Sequence, residues 1–198
     1  MSFITAKILD AAVVAALQNG EVGILPTDTV YGIVASAKSP KAVDTLFGAK
    51  VRDGNPGTVL AATSDQLIEL GIKARYVHAV EEYWPNAISV VIPCDESLRY
   101  LHLGEFSLAC RIPNDSQLRA LLAKTGPLMT TSAEAPGKEI AQNIKEAQEF
   151  FGEKVSFYVD GGDTSGRTAS TIIRIVDDAI EIIREGAVKI DENGRIHQ

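Results

Sequence analysis

The chain has 198 residues, of which 45 % are hydrophobic and 23 % charged, and a formal net charge of -7 at pH 7. These values suit one domain with a substantial core and do not indicate disorder. The acidic balance argues against non-specific nucleic-acid binding, which usually needs a basic surface, but it allows a local basic cleft for an anionic small molecule.

Cysteine and histidine usage argues against disulfides and structural zinc. Cys94 and Cys110 form no CxxC pair, and the three histidines are scattered, which favours free thiols in a reduced compartment. The N-terminus lacks a basic region followed by an apolar segment, and no apolar run approaches ~18 residues. We therefore expect a soluble, cytoplasmic protein with no membrane partner.

The first half of the chain alternates predicted helices and strands. Asp10 can cap a helix over 11–19, which Gly20 can end. Ser39, followed by proline, opens a second helix that places Lys50 near its C-terminal end. The other predicted elements are strands at 21–25, 30–35 and 58–62, a loop at 50–57, and helices at 64–71 and 73–84.

The second half continues the alternation and ends in a hairpin, whose strands meet at Asp177 and Asp178. The other predicted elements are strands at 87–93 and 106–113, a capped helix at 114–126, a strand that starts at 127, an amphipathic helix at 138–152 and a strand at 155–162. This order predicts an α/β fold with a mixed sheet. We expect one domain over 1–190 and a polar tail at 191–198.

Polar residues occur where many of these strands end, and ligands of open α/β sheets bind at such places. Arginine gives bidentate contacts to phosphate or carboxylate and lysine a point charge, so the set suits an anionic ligand. Taken singly, each has a structural explanation, since threonine favours strands and a lone arginine is usually solvated. The set comprises Thr29, Tyr31, Lys50, Arg52, Arg111, Thr131, Ser132, Ser170, Thr171 and Arg184.

The segment "GGDTSGRT" at 161–168 imitates a phosphate-binding P-loop with arginine in place of lysine. A P-loop needs a helix directly after it, whereas the β-branched sequence that follows predicts a strand, so we expect a glycine-rich loop over a ligand or a plain turn. Asp28 and Glu134 are weak candidates for holding a metal ion that accompanies a nucleotide.

Several motifs in this order resemble the Sua5/YciO/YrdC family, from about residue 5 to 190. They are "LPTDTVYGIVASA" at 25–37, "KVR" at 50–52, "YWPNAISVVIP" at 83–93, "LACRIPND" at 108–115, "PLMTTSAEAPG" at 127–137, "DGGDTSGRTASTII" at 160–173 and "IIREGAV" at 182–188. The resemblance implies a twisted mixed sheet flanked by helices, with a concave ligand cleft, in the short form of a single YrdC-like domain.

The resemblance also implies an activity, the synthesis of threonylcarbamoyl-AMP and pyrophosphate from L-threonine, bicarbonate and ATP with Mg²⁺, for the threonylcarbamoyl modification of tRNA adenosine 37. A downstream threonylcarbamoyl transferase is then an expected partner. By matching motif, the threonine-binding residues are Thr29, Arg111, Ser132 and Ser170. The ATP-binding residues are Lys50, Arg52, Glu134 and Arg184.

The chain departs from the family pattern at three places. Glu134 replaces the asparagine of the family's S-A-N, and Ala61 replaces a common histidine. Pro56, or Asn55 in a shifted alignment, lies where a further lysine is expected. A carboxylate near phosphates repels them unless a cation bridges the two. Two alternatives therefore remain open. One is a YciO-like divergent paralogue that acts on a related carbamoyl adenylate or on modified tRNA, and the other is a non-catalytic relative that binds double-stranded RNA.

Overall fold

The computed structural model describes residues 2–50, 56–135, 137–177, 179–191 and 193–197. The α-helices within these ranges are α1 Ala11–Gln18, α2 Pro40–Lys50, α3 Ser64–Leu70, α4 Ala74–His78, α5 Arg99–His102, α6 Ser116–Thr125 and α7 Ile144–Phe151. The strands are β1 Phe3–Thr5, β2 Gly23–Pro26, β3 Tyr31–Ser36, β4 Thr58–Leu60, β5 Ile88–Pro93, β6 Ser107–Arg111, β7 Leu128–Ser132, β8 Phe157–Val159, β9 Thr171–Val176, β10 Ala179–Arg184, β11 Lys189–Ile190 and β12 Ile196–His197.

The main sheet has the strand order β1-β8-β2-β3-β7-β4-β6-β5-β9-β10 among the described residues. It is mixed: β8 pairs in parallel with β1 and β2, while β3 pairs antiparallel with β2 and β7. The centre of the sheet also combines both modes, since β4 is parallel to β6 and antiparallel to β7. The expected α/β fold with a mixed sheet flanked by helices is confirmed.

The two faces of the sheet are covered unequally. Because side chains alternate along a strand, Ile33 and Val34 face opposite sides. Ile33 belongs to the larger apolar cluster, with residues of α2, α3, α4 and α7. Val34 belongs to a smaller cluster, in which α1 and α6 pack on one part of the opposite face. The rest of that second face is not covered by these two helices and forms a concave surface.

Local capping explains where several helices begin. The carboxylate of Asp10 accepts a hydrogen bond from the N–H of Ala12, and that of Asp115 accepts one from Leu118. Ser39 Oγ accepts from the N–H of Ala42 at the start of α2. These caps confirm the predicted starts of α1, α2 and α6.

Several elements differ from the sequence predictions or were not predicted. The helix expected at 73–84 is α-helical only over Ala74–His78. The helix expected at 138–152 begins only at Ile144, because Asn143 caps it and accepts a hydrogen bond from the N–H of Glu146. Strand β1 was not predicted, since three residues carry no readable period. The polar tail contains β12, which pairs with β11 through Ile190 and Ile196. Among the described residues, no helix has the length and apolar character needed to cross a membrane.

Candidate functional site

The uncovered part of the second sheet face forms a cleft of about 590 Å³. One row of paired residues runs across its floor, from Thr130 through Thr58, Ala109 and Val91 to Arg174. Small and polar side chains in this row leave the space open. The walls are formed by the β2–β3 turn, the residue before β9 and the end of β10.

The β2–β3 turn explains the polar insert in the first motif. Pro26 pairs with Tyr31, and the N–H and Oγ1 of Thr27 both donate to the carbonyl of Val30, at 3.1 and 2.7 Å. Thr27 and Thr29 share a hydroxyl hydrogen bond of 3.0 Å. The short oxygen-bearing side chains thus close a hairpin and place Thr29 at the cleft. Val30 is only half-buried and lines the cleft.

Arg111, at the end of β6, is 4 % exposed and lies between two acceptors. Its Nη2 donates to Asp28 Oδ1 at 3.0 Å, and its Nη1 donates to Ser89 Oγ at 3.2 Å. Burial lowers the pKa of Arg111, while the adjacent Asp28 opposes this shift. The other oxygen of Asp28 accepts from the N–H of Asn114, so Asp28 serves to orient Arg111 and does not suit the weak metal role considered for it.

Ser89 extends the network toward β9 and β10. Its Oγ is 3.0 Å from Ser170 Oγ, and both serines are buried. Arg184 donates from Nε and Nη2 to the carbonyl of Ser170, and from Nη2 to Ser170 Oγ at 3.1 Å. Partial desolvation lowers the pKa of Arg184, the charge of Arg111 adds to this shift, and Glu134 opposes it. A continuous polar chain therefore joins Asp28 to Arg184 across the cleft wall.

A second ion pair lies where α2 meets the end of β7. Lys50 is 6 % exposed, and its Nζ donates to the carbonyl of Ser132 and pairs with Glu134 Oε1, each at 2.5 Å. Glu134 Oε2 is buried and has no hydrogen-bond partner within the described parts of the chain. This pairing was not predicted, because the sequence places the two residues 84 positions apart.

A smaller cavity of about 520 Å³ adjoins the cleft and shares Val30, Ser132 and Ala169 with it. The glycine-rich segment and the loop after β7 form its walls, with Glu134, Glu139 and Arg167 among the lining residues. Tyr31 fixes one end of the glycine-rich segment, because its hydroxyl donates to the carbonyl of Gly162 and accepts from the N–H of Gly161. A loop followed by a strand was expected here, and the structure has no helix directly after it.

Seven of the eight predicted site residues converge on the cleft and its junction with the smaller cavity. They are Thr29, Lys50, Arg111, Ser132, Glu134, Ser170 and Arg184. Arg52 lies outside the described residues, so its predicted position is not described. Sequence reasoning missed Ser89, although a single polar residue at a position that alternates with apolar Ile88 and Val90 is a usable signal for a buried site.

The donor set fits a divalent cation carried by a nucleotide. Magnesium takes oxygen ligands and is usually held by one or two carboxylates together with substrate phosphates. The buried, unpartnered Oε2 of Glu134 could supply one carboxylate ligand. Within the described ranges, no three His, Cys, Asp or Glu side chains are grouped to hold a metal without a ligand's help.

Comparisons with known proteins identify relatives of this chain. The family model Sua5_yciO_yrdC, described as telomere recombination, matches residues 15–186. The chain belongs to the Sua5/YciO/YrdC family. A protein of Pseudoalteromonas translucida named threonylcarbamoyl-AMP synthase is 32 % identical over 168 residues, which are 80 % of this chain and 90 % of that protein.

Two family members are longer than this chain, which aligns with only part of each. A threonylcarbamoyl-AMP synthase of Bacillus subtilis is 30 % identical in an alignment that spans 90 % of this chain and 53 % of the B. subtilis protein. The crystal structure of P. abyssi Sua5 complexed with L-threonine superimposes with a TM-score of 0.81 and 25 % identity, and covers 95 % of this chain and 58 % of the other. The YrdC-like fold expected from the motifs is confirmed.

Proposed function

We propose that this protein is a threonylcarbamoyl-AMP synthase that uses L-threonine, bicarbonate and ATP and supports the threonylcarbamoyl modification of tRNA. The observation that carries the proposal is the polar chain from Asp28 through Arg111, Ser89 and Ser170 to Arg184. It lies in an open cleft of a fold shared with a threonine-bound relative. Relatives named for this synthesis cover most of the chain.

Threonine is proposed to bind at the end of the cleft that contains Thr29, Arg111 and Ser170. Arg111 would be its main partner, because a guanidinium matches a carboxylate and Asp28 already fixes its orientation. The hydroxyls of Thr29, Ser132 and Ser170 can donate to or accept from the substrate's polar groups. This environment holds the amine in position for reaction.

ATP is proposed to place its phosphates near Lys50 and Arg184, with Arg52 as a further predicted contact. Cations at this position offset the negative charge that develops as pyrophosphate leaves. Magnesium, when bound with the nucleotide, would neutralise phosphate charge, and Glu134 is its proposed carboxylate partner. These roles follow from charge and placement.

The reaction balances without a further co-reactant. The threonine nitrogen forms a bond to the bicarbonate carbon, and water leaves to give a carbamate. A carbamate oxygen then attacks the α-phosphorus of ATP, and pyrophosphate leaves. Both steps bring together charged reactants, so the cleft acts mainly through positioning and charge compensation.

A transferase that accepts the product and RNA binding both remain proposals. The adenylate is an activated mixed anhydride, which must pass to an acceptor before water attacks it. The net charge of -7 restricts direct RNA binding to a local surface. Binding of tRNA or duplex RNA that weakens steeply as salt rises would support such a surface.

Pyrophosphate release by the purified protein tests the proposal. We expect release with ATP, L-threonine, bicarbonate and Mg²⁺ together, and loss of release when threonine or bicarbonate is omitted. L-valine is the matched control substrate, because it has nearly the shape of threonine but lacks the hydroxyl. Release that is independent of threonine would contradict the synthase assignment.

A further inference from the structure

Glu134 brings a negative charge to a position where a neutral residue would bring none. Its Oε1 pairs with the buried ammonium of Lys50, which also donates to the carbonyl of Ser132. Its side chain is 24 % exposed and reaches the junction between the cleft and the smaller cavity. The carboxylate therefore neutralises a cation at the place where an anionic ligand is proposed to bind.

The second oxygen of the same carboxylate is unused. Glu134 Oε2 is buried and has no hydrogen-bond partner among the residues that the structure describes. A buried acceptor without a donor is costly, especially when it carries charge. The arrangement is thus better satisfied when a donor or a cation arrives at Oε2.

The carboxylate of Glu134 competes with phosphate for the charge of Lys50. Lys50 and Glu134 form one pair, and Arg111 and Asp28 form another. Arg184 contacts Ser170 through the carbonyl and the hydroxyl. A triphosphate that approaches Lys50 without a cation meets the negative charge of Glu134, and repulsion weakens binding.

We propose that Glu134 makes nucleotide binding depend on a divalent cation. Without the cation, Glu134 holds Lys50 and repels the phosphates; with the cation, the charge of the carboxylate is offset and the phosphates can approach. Asparagine at this position would be shorter by one methylene group and would carry no charge to gate the site. The inference deepens the proposed function and depends on its nucleotide-binding part.

Equilibrium binding of ATP, measured by isothermal titration calorimetry without threonine, tests this gate. Wild type, Glu134→Gln and Glu139→Gln are each titrated in Mg²⁺ and in EDTA. Glu139 is the matched control, because it lines the same smaller cavity but is exposed on its surface. Glu134→Asn is a second variant with a shorter amide, and thermal melting checks that all variants fold.

We expect wild type and Glu139→Gln to bind ATP at least about tenfold more tightly in Mg²⁺ than in EDTA, the size of one charge-assisted contact. Glu134→Gln or Glu134→Asn should bind more tightly than wild type in EDTA and lose most of the difference between the two conditions. An equal dependence on Mg²⁺ in wild type and in folded Glu134 variants overturns the gate while leaving the synthase proposal intact. Failure of every protein to bind ATP in both conditions overturns both.

Discussion

The guanidinium of Arg111 shows how a single buried residue organises the cleft. Asp28 and Ser89 hold two of its nitrogens, whereas its Nε is buried and has no partner in the described parts of the chain. A buried charge is costly unless it is paired, and the contacts with Asp28 and Ser89 supply this pairing and hold the side chain. Its orientation is therefore set before a ligand arrives, which reduces the entropy lost on binding.

Arg111→Lys tests whether the planar guanidinium group, and not only its charge, is needed. Lysine keeps the charge but cannot contact Asp28, Ser89 and a carboxylate in the same geometry. We expect the KM for threonine to rise at least about tenfold, the usual scale for a lost charge-assisted contact, while the KM for ATP changes less. Arg99→Lys is the control, because Arg99 is exposed on α5 and pairs with Glu96. Equal effects on both substrates would contradict the threonine assignment.

The two thiols should be unreactive in the folded protein. Burial, reinforced by Asp95, raises the pKa of Cys94 to about 11, and burial raises that of Cys110 further. At pH 8 only about a thousandth of Cys94 is then thiolate, the reactive form. Mass spectrometry after iodoacetamide treatment should find neither cysteine modified in buffer and both modified in urea. Rapid labelling of Cys94 in buffer would show that this residue, directly after β5, is not buried.

Single residues also mark the limit of sequence reasoning at the site. The motifs identified Thr29, Arg111 and Ser170, because each lies at a strand end in a recognisable pattern. They did not reveal that Ser89 links Arg111 to Ser170, or that Glu134 pairs with Lys50. Both links join residues distant in sequence, and only the sheet order brings them together.

At the scale of elements, the sequence predicted helix starts correctly where the signal is a cap within a few residues. The caps of α1, α2 and α6 are readable within four residues, and each helix begins as expected. The amphipathic pattern over 138–152 was misleading, because apolar spacing continued upstream of the true cap at Asn143. A capping box from Asn143 to Glu146 was present in the sequence and outweighs the periodicity.

The contact between β4 and β7 leaves no space for a side chain at Gly57. A Cβ there would lie 2.3 Å from the backbone carbonyl oxygen of Thr130, which cannot move without disturbing the sheet. Gly57→Ala should reduce the free energy of unfolding by about 2 kcal/mol through overpacking. Urea denaturation followed by circular dichroism measures this change.

Gly48 in α2 is the matched control, because a Cβ there meets no atom within 4 Å. Gly48→Ala should raise the free energy of unfolding by about 0.5–1 kcal/mol, since alanine favours the helix interior. The opposite signs separate a steric effect from a general effect of alanine. If both variants stabilise the protein, the backbone at Gly57 does not lie as close to β7 as described.

At the scale of the whole molecule, the mixed sheet creates the cleft by leaving part of one face uncovered. The alternation of strands and helices predicted the fold class, because local patterns carry it. The strand order was beyond the sequence, since β8 inserts between β1 and β2 from the far end of the chain. The same order places the end of β10 beside Ser170 and completes the cleft wall.

Buried tyrosines give the fold an alkaline limit. Burial, with a smaller effect of Glu153, raises the pKa of Tyr158 to about 12, and its hydroxyl donates to the carbonyl of Gly152 at 2.6 Å. The folded state thus holds this proton more tightly than the unfolded chain, whose tyrosine pKa is about 10. Stability from this group is full below pH 10 and is lost as the pH rises toward 12.

Thermal melting of wild type and Tyr158→Phe from pH 8 to 12 checks this sign. The variant lacks the titrating hydroxyl, so its melting temperature should fall less steeply above pH 10 than that of wild type. Buried Tyr31 keeps its own raised pKa in both proteins, so some alkaline loss should remain. Parallel curves for the two proteins would contradict a role for Tyr158.

The most direct test of the account is the mass of the product formed from carbon-13 bicarbonate. With ATP, L-threonine and Mg²⁺, we predict a threonylcarbamoyl-AMP ion that is heavier by one mass unit than the ion formed from unlabelled bicarbonate. That result requires threonine, bicarbonate and the adenylyl group to meet in one cleft. Pyrophosphate release with no labelled threonine-containing adenylate would contradict the synthase account and show that the cleft carries out a different reaction.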